Sequence, residues 1–390
     1  MSTTGTRAGL DVSMMTSPAV LDSLPDGAYI TDVERRILFW NGEAERITGW
    51  RRNEVVGLHC RDNLLCHVDK DGHPLCGYEH CPLHRAIVTG TSSEQPALLF
   101  ARRKDGQRIP VEVTVAPIRD AGRRVIGGIE IFRDLSPTFQ DLNRARLIQL
   151  GSIGIDLPDE SRFRVTTRYT PHDQVGGDFY RGQMLDADTF GLILADVVGH
   201  GVSAALNAMQ LRLLWDDGGT LRARPGDFLA ELSRRVSELT DIDAGYFATA
   251  LALAYNANSG MCRLAAAGHP PPLIMRRTGD IALFEARGPG LGLLEQPVYP
   301  EAEITLQPGD HLLLFTDGAL EIRDQNEREL GVAGLRDLVR AINWSDGETG
   351  LTALEETLLK FSNRLSLEDD LTLIDLHLPD QPALKLWISS

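Results

Sequence analysis

The stretch 192-LILADVVGHG-201 decides how the larger half of this chain is read. Apolar residues flank Asp196 on both sides without alternating, which describes a strand covered on both faces. An ionised carboxylate inside such a strand costs several kcal/mol, roughly, unless a cation or a set of donors meets it. The same local pattern, an apolar strand beside an acid and usually a glycine, recurs on three other segments. Asp178 stands in "VGGDFY", Asp317 in "LLLFTDGALE", and Asp369-Asp370 in "LEDDLTLIDLHL". A single acid of this kind reads as a helix N-cap. Four on separate segments, with no matching basic residues in those strands, point to a shared positive partner. Hard oxygen ligands without a Cys or His set suit Mg²⁺ or Mn²⁺ rather than zinc.

The bulk composition agrees with a folded chain of more than one domain: 390 residues, 43% hydrophobic and 24% charged. With 55 acidic against 39 basic residues the formal charge is −16, which argues against binding a nucleic-acid backbone. No apolar run reaches the ~18 residues that a membrane helix needs. The opening residues lack the basic start and apolar middle of a secretory signal, so the cytoplasm is the expected location. Residues 1–18 and 379–390 read as tails.

Residues 19–134 form a first unit. "GAYITDVERRILFWN" reads as two strands joined by a charged turn, followed by short helices stopped by Gly49 and Gly57. Three more strands follow, and in one of them Val111, Val113 and Val115 alternate with Glu112 and Thr114. This order, with "LPDGAYITD", "ILFWNGEAERITGW" and "GGIEIFRDLS", resembles a PAS sensor domain, an antiparallel five-stranded sheet with helices. Residues 135–155 are expected to be a helical signalling linker, with Leu135, Phe139, Leu142 and Leu150 on one face and pairing in a homodimer as one outcome.

Residues 156–378 carry many strand candidates and four helix candidates, at 201–216, 226–240, 333–342 and 350–364, which predicts an α+β sandwich of two packed sheets. "QVGGDFY", "ADVVGHG", "AAAGHPPPLI", "GPGLGLL", "LQPGDHLLLFTDGALE" and "EDDLTL" stand in the order found in metal-dependent serine/threonine phosphatases of the PPM (type-2C) family. They are most similar to its bacterial SpoIIE/RsbU-like branch. The resemblance implies an αββα sandwich of two antiparallel sheets with two Mn²⁺ or Mg²⁺ ions at one edge. It implies that Asp196 bridges the ions, that Asp178 binds one, and that the backbone carbonyl of Val197 is a further ligand. Asp317 and Asp369 would complete the ligand set of the second metal, with Asp370 a neighbour or alternative. The substrate it implies is a phosphorylated anti-sigma-factor antagonist of STAS type, attacked by metal-activated water. His200 has two readings, general acid for the leaving oxygen or a structural residue at a helix entry; His269 reads as a turn residue. Two departures from the family pattern are visible. Tyr180 is followed by Arg181 where a further acid is usual, and "LGSIGIDLPDES" replaces the usual "LLP" run.

One segment belongs to neither pattern. "HCRDNLLCHVDKDGHPLCGYEHCPLHRA" packs Cys60, Cys66, Cys76 and Cys81 with five histidines into the first unit, whereas Cys262 is alone. Cys76, Cys81 and His84, with Cys60 or Cys66, could hold Zn²⁺, and four thiolates could hold an iron–sulfur cluster. Buried thiols with incidental histidines are the alternative. The expected whole is a PAS-controlled phosphatase; the rival is a degenerate phosphatase fold acting as a scaffold. A PAS-linked histidine kinase fails for want of ATP-binding glycine boxes, and a cyclic-dinucleotide synthase for want of the acids that should follow Asp178.

Overall fold

A computed structural model describes residues 18–62, 64–70, 72–77, 80–158, 162–199, 201–239, 247–362 and 367–380. The chain divides into two compact units between Asp141 and Leu142. Among the described residues no helix is long and apolar enough to cross a membrane.

The first unit contains α1 (Pro18–Asp22), β1 (Gly27–Asp32), β2 (Ile37–Trp40), α2 (Gly42–Thr48), α3 (Arg52–Val55), α4 (Pro82–Thr89), β3 (Ala97–Arg102), β4 (Arg108–Arg119) and β5 (Val125–Asp134). The strands form one antiparallel sheet in the order β2-β1-β5-β4-β3. Asn41 caps α2 by accepting from Ala44 N at 2.8 Å and ties it to β1 by accepting from Ala28 N at 2.9 Å. Gly49 ends that helix in the left-handed region at φ 76°, as its position after "ERIT" predicts. Val111, Val113 and Val115 are buried against Trp40, Phe132 and Leu83, so the alternation of β4 marks a sheet with one covered face.

Helix α5 (Ser136–Leu150) follows β5 and runs across the boundary between the units. The second unit continues with β6 (Gly154–Asp156), β7 (Arg164–Thr170), β8 (Asp178–Met184), β9 (Thr189–Val197), α6 (Gly201–Asp217), α7 (Pro225–Leu239), β10 (Ala248–Asn256), β11 (Met261–Ala267), β12 (Leu273–Met275), β13 (Ile281–Leu283), β14 (Ala302–Thr305), β15 (His311–Phe315), α8 (Gly331–Ala341), α9 (Gly347–Ser362) and β16 (Leu371–His377). Two sheets result, ordered β14-β11-β10-β9-β8-β6 and β13-β12-β15-β16-β7.

Why β9 is a continuous apolar run is now plain. It lies inside the first sheet between β8 and β10, with the second sheet on one face and α6 and α7 on the other. Ile193 and Leu251 share a core with Leu312, Leu314, Ile374 and Leu376 from the opposite sheet. The alternate residues of β15 and β16, Leu313, Phe315, Leu371 and Leu373, pack outward against Leu335 of α8 and Leu351, Leu354 and Leu358 of α9. The architecture is therefore helices, sheet, sheet, helices.

Two expectations need correcting. The linker is not helical through 155: the chain turns after Leu150, and β6 adds to the first sheet parallel to β8, so that sheet is not purely antiparallel. The supposed apolar face of the linker is also incomplete, since Leu150 is exposed and the buried residue of α5 is Gln149.

Leu314 tests the shared core. Leu314→Ala should cost about 2–5 kcal/mol, because a void between two rigid sheets closes poorly. In a unit of this size that lowers the melting midpoint by roughly 2–4 °C per kcal/mol. Differential scanning calorimetry on the full chain checks it; an unshifted transition would mean the sheets do not pack through this residue.

Candidate metal-binding site

Each sheet delivers acids to one end of the sandwich. Asp178 opens β8 and Asp196 is the penultimate residue of β9, and the antiparallel register sets them directly opposite each other. From the second sheet, Asp317 begins a 3₁₀ turn just after β15, and Asp369-Asp370 immediately precede β16, the strand paired with β15. Gly318 permits this last approach, because a Cβ there would lie 1.9 Å from the carbonyl oxygen of Asp370.

Hydrogen bonds between the sheets close the site. Asp178 is 1% exposed, and its Oδ2 accepts from Thr316 Oγ1 at 2.9 Å and from Thr372 Oγ1 at 2.6 Å. Its other oxygen, Oδ1, is buried without a partner. Asp196 stands close enough to Asp317 for the charge of one to act on the other. No Lys or Arg among the described residues forms an ion pair with Asp178, Asp196, Asp317 or Asp369. Burial, followed by the charges of Asp178, Asp317 and Asp369, pushes the Asp196 carboxyl up to about 9. Burial likewise raises Asp178 far above the usual carboxylate range, and raises Asp317, with the Asp369 charge adding to it. Such a group folds only by taking up protons or cations.

Among the described residues no three His, Cys, Asp or Glu side chains close into a ready-made coordination group. A hard ion such as Mg²⁺ keeps several waters and takes one or two carboxylates. The bare Asp178 Oδ1, the cluster of unneutralised acids and the all-oxygen donor set fit such ions.

The other expected residues separate cleanly. Val197 is fully buried beside Asp196, its N–H donating to Gly177 O at 3.3 Å. Asp370 is a brace rather than an open ligand: Oδ1 accepts from His172 N at 2.7 Å and Oδ2 from Gly177 N at 2.5 Å. His200 lies outside the described residues. His269 does more than turn the chain. It is 5% exposed, and its Nδ1 lies 2.7 Å from the hydroxyl of Thr249, the residue opposite Asp196 on β10. Burial depresses its pKa to about 3, so the ring is neutral. The Tyr180 hydroxyl, 3.2 Å from Thr167 Oγ1, is buried structure.

Among the described residues the cysteine-rich segment shows no three ligands gathered for a metal, so the zinc or iron–sulfur expectation gains no support. Burial keeps the Cys60 thiol protonated and pushes Cys76 up to about 12, with Cys81 and Glu130 charges adding to both. Cys66 and His84 sit half-buried away from the core. Sequence reasoning missed Glu130, 2% exposed in the middle of β5, with Oε1 unpartnered and 3.8 Å from an equally unpartnered His67 Nε2. The signal was available: Gly128, Glu130 and Phe132 alternate onto the buried face.

Comparison with known proteins meets this geometry at the same places. Residues 186–379 match the Stage II sporulation protein E (SpoIIE) family, and residues 25–137 match a PAS domain family. The chain is a PAS domain followed by a SpoIIE-type phosphatase domain. Asp196, Val197, Asp317, Asp369 and Asp370 fall within the SpoIIE match, and Asp178 just precedes it. The chain is 29% identical over 186 residues to the phosphoserine phosphatase RsbP of Bacillus subtilis, covering 47% of this chain and 46% of that one. It is 28% identical over 238 residues to the phosphoserine phosphatase RsbU of the same species, covering 61% and 70%. It thus spans about half the length of RsbP. The solved SiaA-PP2C domain of Pseudomonas aeruginosa shares the fold, with a TM-score of 0.55 and 22% identity over 62% of this chain and 97% of that one.

The acids of the SpoIIE-type domain set a pH dependence. Asp196 titrates near 4 when unfolded and about 9 when folded, so the folded, metal-free chain holds the extra proton between those values. Its ionisation therefore costs nothing at low pH and destabilises increasingly as pH rises through that window. The melting midpoint of metal-free protein should fall from about pH 5 to about pH 8, and added Mn²⁺ should raise it more at the higher pH. A midpoint indifferent to Mn²⁺ at both pH values would contradict this reading.

Proposed function

We propose that the second unit is a Mg²⁺- or Mn²⁺-dependent phosphatase acting on phosphoserine or phosphothreonine of a protein. The carrying observation is the buried, cation-free convergence of Asp178 and Asp196 from one sheet with Asp317 and Asp369 from the other. Asp196 and Asp178 would hold the ions, Asp178 through its bare Oδ1, with the Val197 carbonyl as a further donor. Asp317 and Asp369 serve the second ion. Thr316 and Thr372 fix the carboxylate plane of Asp178 through its other oxygen, and Asp370 holds the loop behind it. Bound there, the ions supply an activated water and neutralise charge on the phosphoryl oxygens.

The lone cysteine of the second unit offers no competing nucleophile. Cys262 is fully buried in the core and its thiol is pushed up to about 12. A cleft of about 260 Å³ beside Asp369, lined by Gly318, Glu321, Ile322, Arg323 and Glu327, gives a phosphorylated residue its approach. Exposed Arg323 supplies the cleft with a cation for the phosphate. The two Bacillus relatives are both named phosphoserine phosphatases, which supports the substrate class. We further propose that the physiological substrate is a phosphorylated anti-sigma-factor antagonist of STAS type. The PAS domain regulates the phosphatase through α5, whose exposed Leu147, Ile148 and Leu150 offer a dimer contact.

Asp196→Asn and Asp317→Asn should each lower Mn²⁺-dependent hydrolysis of a phosphoserine peptide by about 10²–10³-fold or more. Neither should lower the melting midpoint of metal-free protein near neutral pH, since an amide is buried there without the proton uptake that the carboxyl needs. Retained turnover in both variants would overturn the assignment. Absence of turnover in the unaltered chain, with Mn²⁺ bound, would favour the scaffold reading.

A further inference from the structure

The last turn of α5 is inverted relative to what burial favours. Leu147 and Ile148 are 70% and 60% exposed, whereas Gln149 between them and Leu150 is 3% exposed. A primary amide tolerates that only when its donor and acceptor are both met. Both are met by one residue: Gln149 Nε2 donates to Gly176 O at 2.6 Å, and Gly176 N donates to Gln149 Oε1 at 3.2 Å. The side chain thus pairs with the backbone of Gly176 as a neighbouring strand would, fixing both position and orientation.

Gly176 stands at the back of the acid cluster. A Cβ there would lie 2.3 Å from Asp370 Oδ2 and 2.5 Å from the Tyr169 hydroxyl. The next residue, Gly177, donates to the same Asp370 oxygen and accepts from Val197 N, and Asp178 follows. The helix end is itself held. The Arg212 guanidinium of α6 donates to Ser152 O at 3.1 Å, and Ser152 Oγ donates to Ile148 O at 2.9 Å.

We propose that Gln149 is a positioning residue for the metal site: it carries the last turn of α5 onto the Gly176-Gly177 backbone and so sets Asp178 and Val197 in their ion-accepting arrangement, with Asp370 braced behind them. The proposal rests on the metal-dependent reading above and gives it a regulatory handle. A shift of the helix reaches Asp178 through two peptide units. No other side chain serves. Asparagine is a methylene too short, glutamate lacks the donor, and an apolar residue leaves the Gly176 N–H and C=O buried and unpaired.

The test is Mn²⁺ binding to the full-length chain by isothermal titration calorimetry, with Gln149→Met, Gln149→Asn and the neighbouring control Ile148→Met. Both Gln149 variants should bind Mn²⁺ roughly 10–100-fold more weakly, the range for losing a partner behind a ligand. Their hydrolysis of p-nitrophenyl phosphate at saturating Mn²⁺ should stay near that of the parent, and Ile148→Met should change neither quantity. Should Gln149→Met fail to fold, Gln149→Asn carries the same comparison. Parent-like Mn²⁺ affinity in a folded Gln149 variant overturns the positioning role alone. A parent chain that takes up no Mn²⁺ overturns the metal site and this inference together.

Discussion

A carboxylate carried by one sheet and gripped by two hydroxyls of the other is the constraint on which the second unit turns. Asp178 leaves water almost completely, and what it gains is two hydroxyl donors, Thr316 and Thr372, both from the opposing sheet. That contact fixes the spacing of the sheets where Asp196, Asp317 and Asp369 also end. It also spends only one of the two oxygens. Unit charges 4 Å apart repel by about 4 kcal/mol at an effective dielectric of 20, so several such acids cannot ionise together unaided. Among the described residues no Lys or Arg pairs with them, and the burden passes to protons or to divalent ions.

Around that constraint the rest of the unit is scaffolding with a recognisable logic. The apolar core between the sheets makes the strand ends rigid, and the glycines at 176 and 318 let backbone press against Asp370. Asp370 in turn is the hub of the loops: it receives N–H groups from His172 and Gly177 on segments about 200 residues away in sequence. His269 and Thr249 back Asp196 from the neighbouring strand. These side chains touch no substrate; they keep the acids where repulsion would otherwise spread them.

Much of this was legible in the sequence. The unbroken apolar run around Asp196 gave away a strand covered on both faces, the alternation of Val111, Val113 and Val115 a sheet with one, and the four acid-bearing strand ends the shared site. What stayed hidden depends on partners that only folding brings together. Asp369 and Asp370 are indistinguishable by neighbourhood, and the N–H groups that claim Asp370 lie on a distant loop. Gln149 reads as a polar residue on the wet side of a helix until Gly176 arrives beneath it. The parallel pairing of β6 rests on three residues with no pattern of their own. Glu130 lies among cysteines and histidines whose spacing resembles a ligand set, whereas burial holds the Cys60 and Cys76 thiols in the protonated form.

Whether these acids cage hard cations decides what the second unit can do. Crystals of the full-length chain grown with Mn²⁺ and measured at the manganese absorption edge would show it directly. Two anomalous peaks flanking the Asp196 carboxylate, one reached by Asp178 Oδ1 and the other by Asp317 and Asp369, are the expected result. A map without anomalous density there, with the four carboxylates pointing apart or neutralised by Arg or Lys, would contradict it.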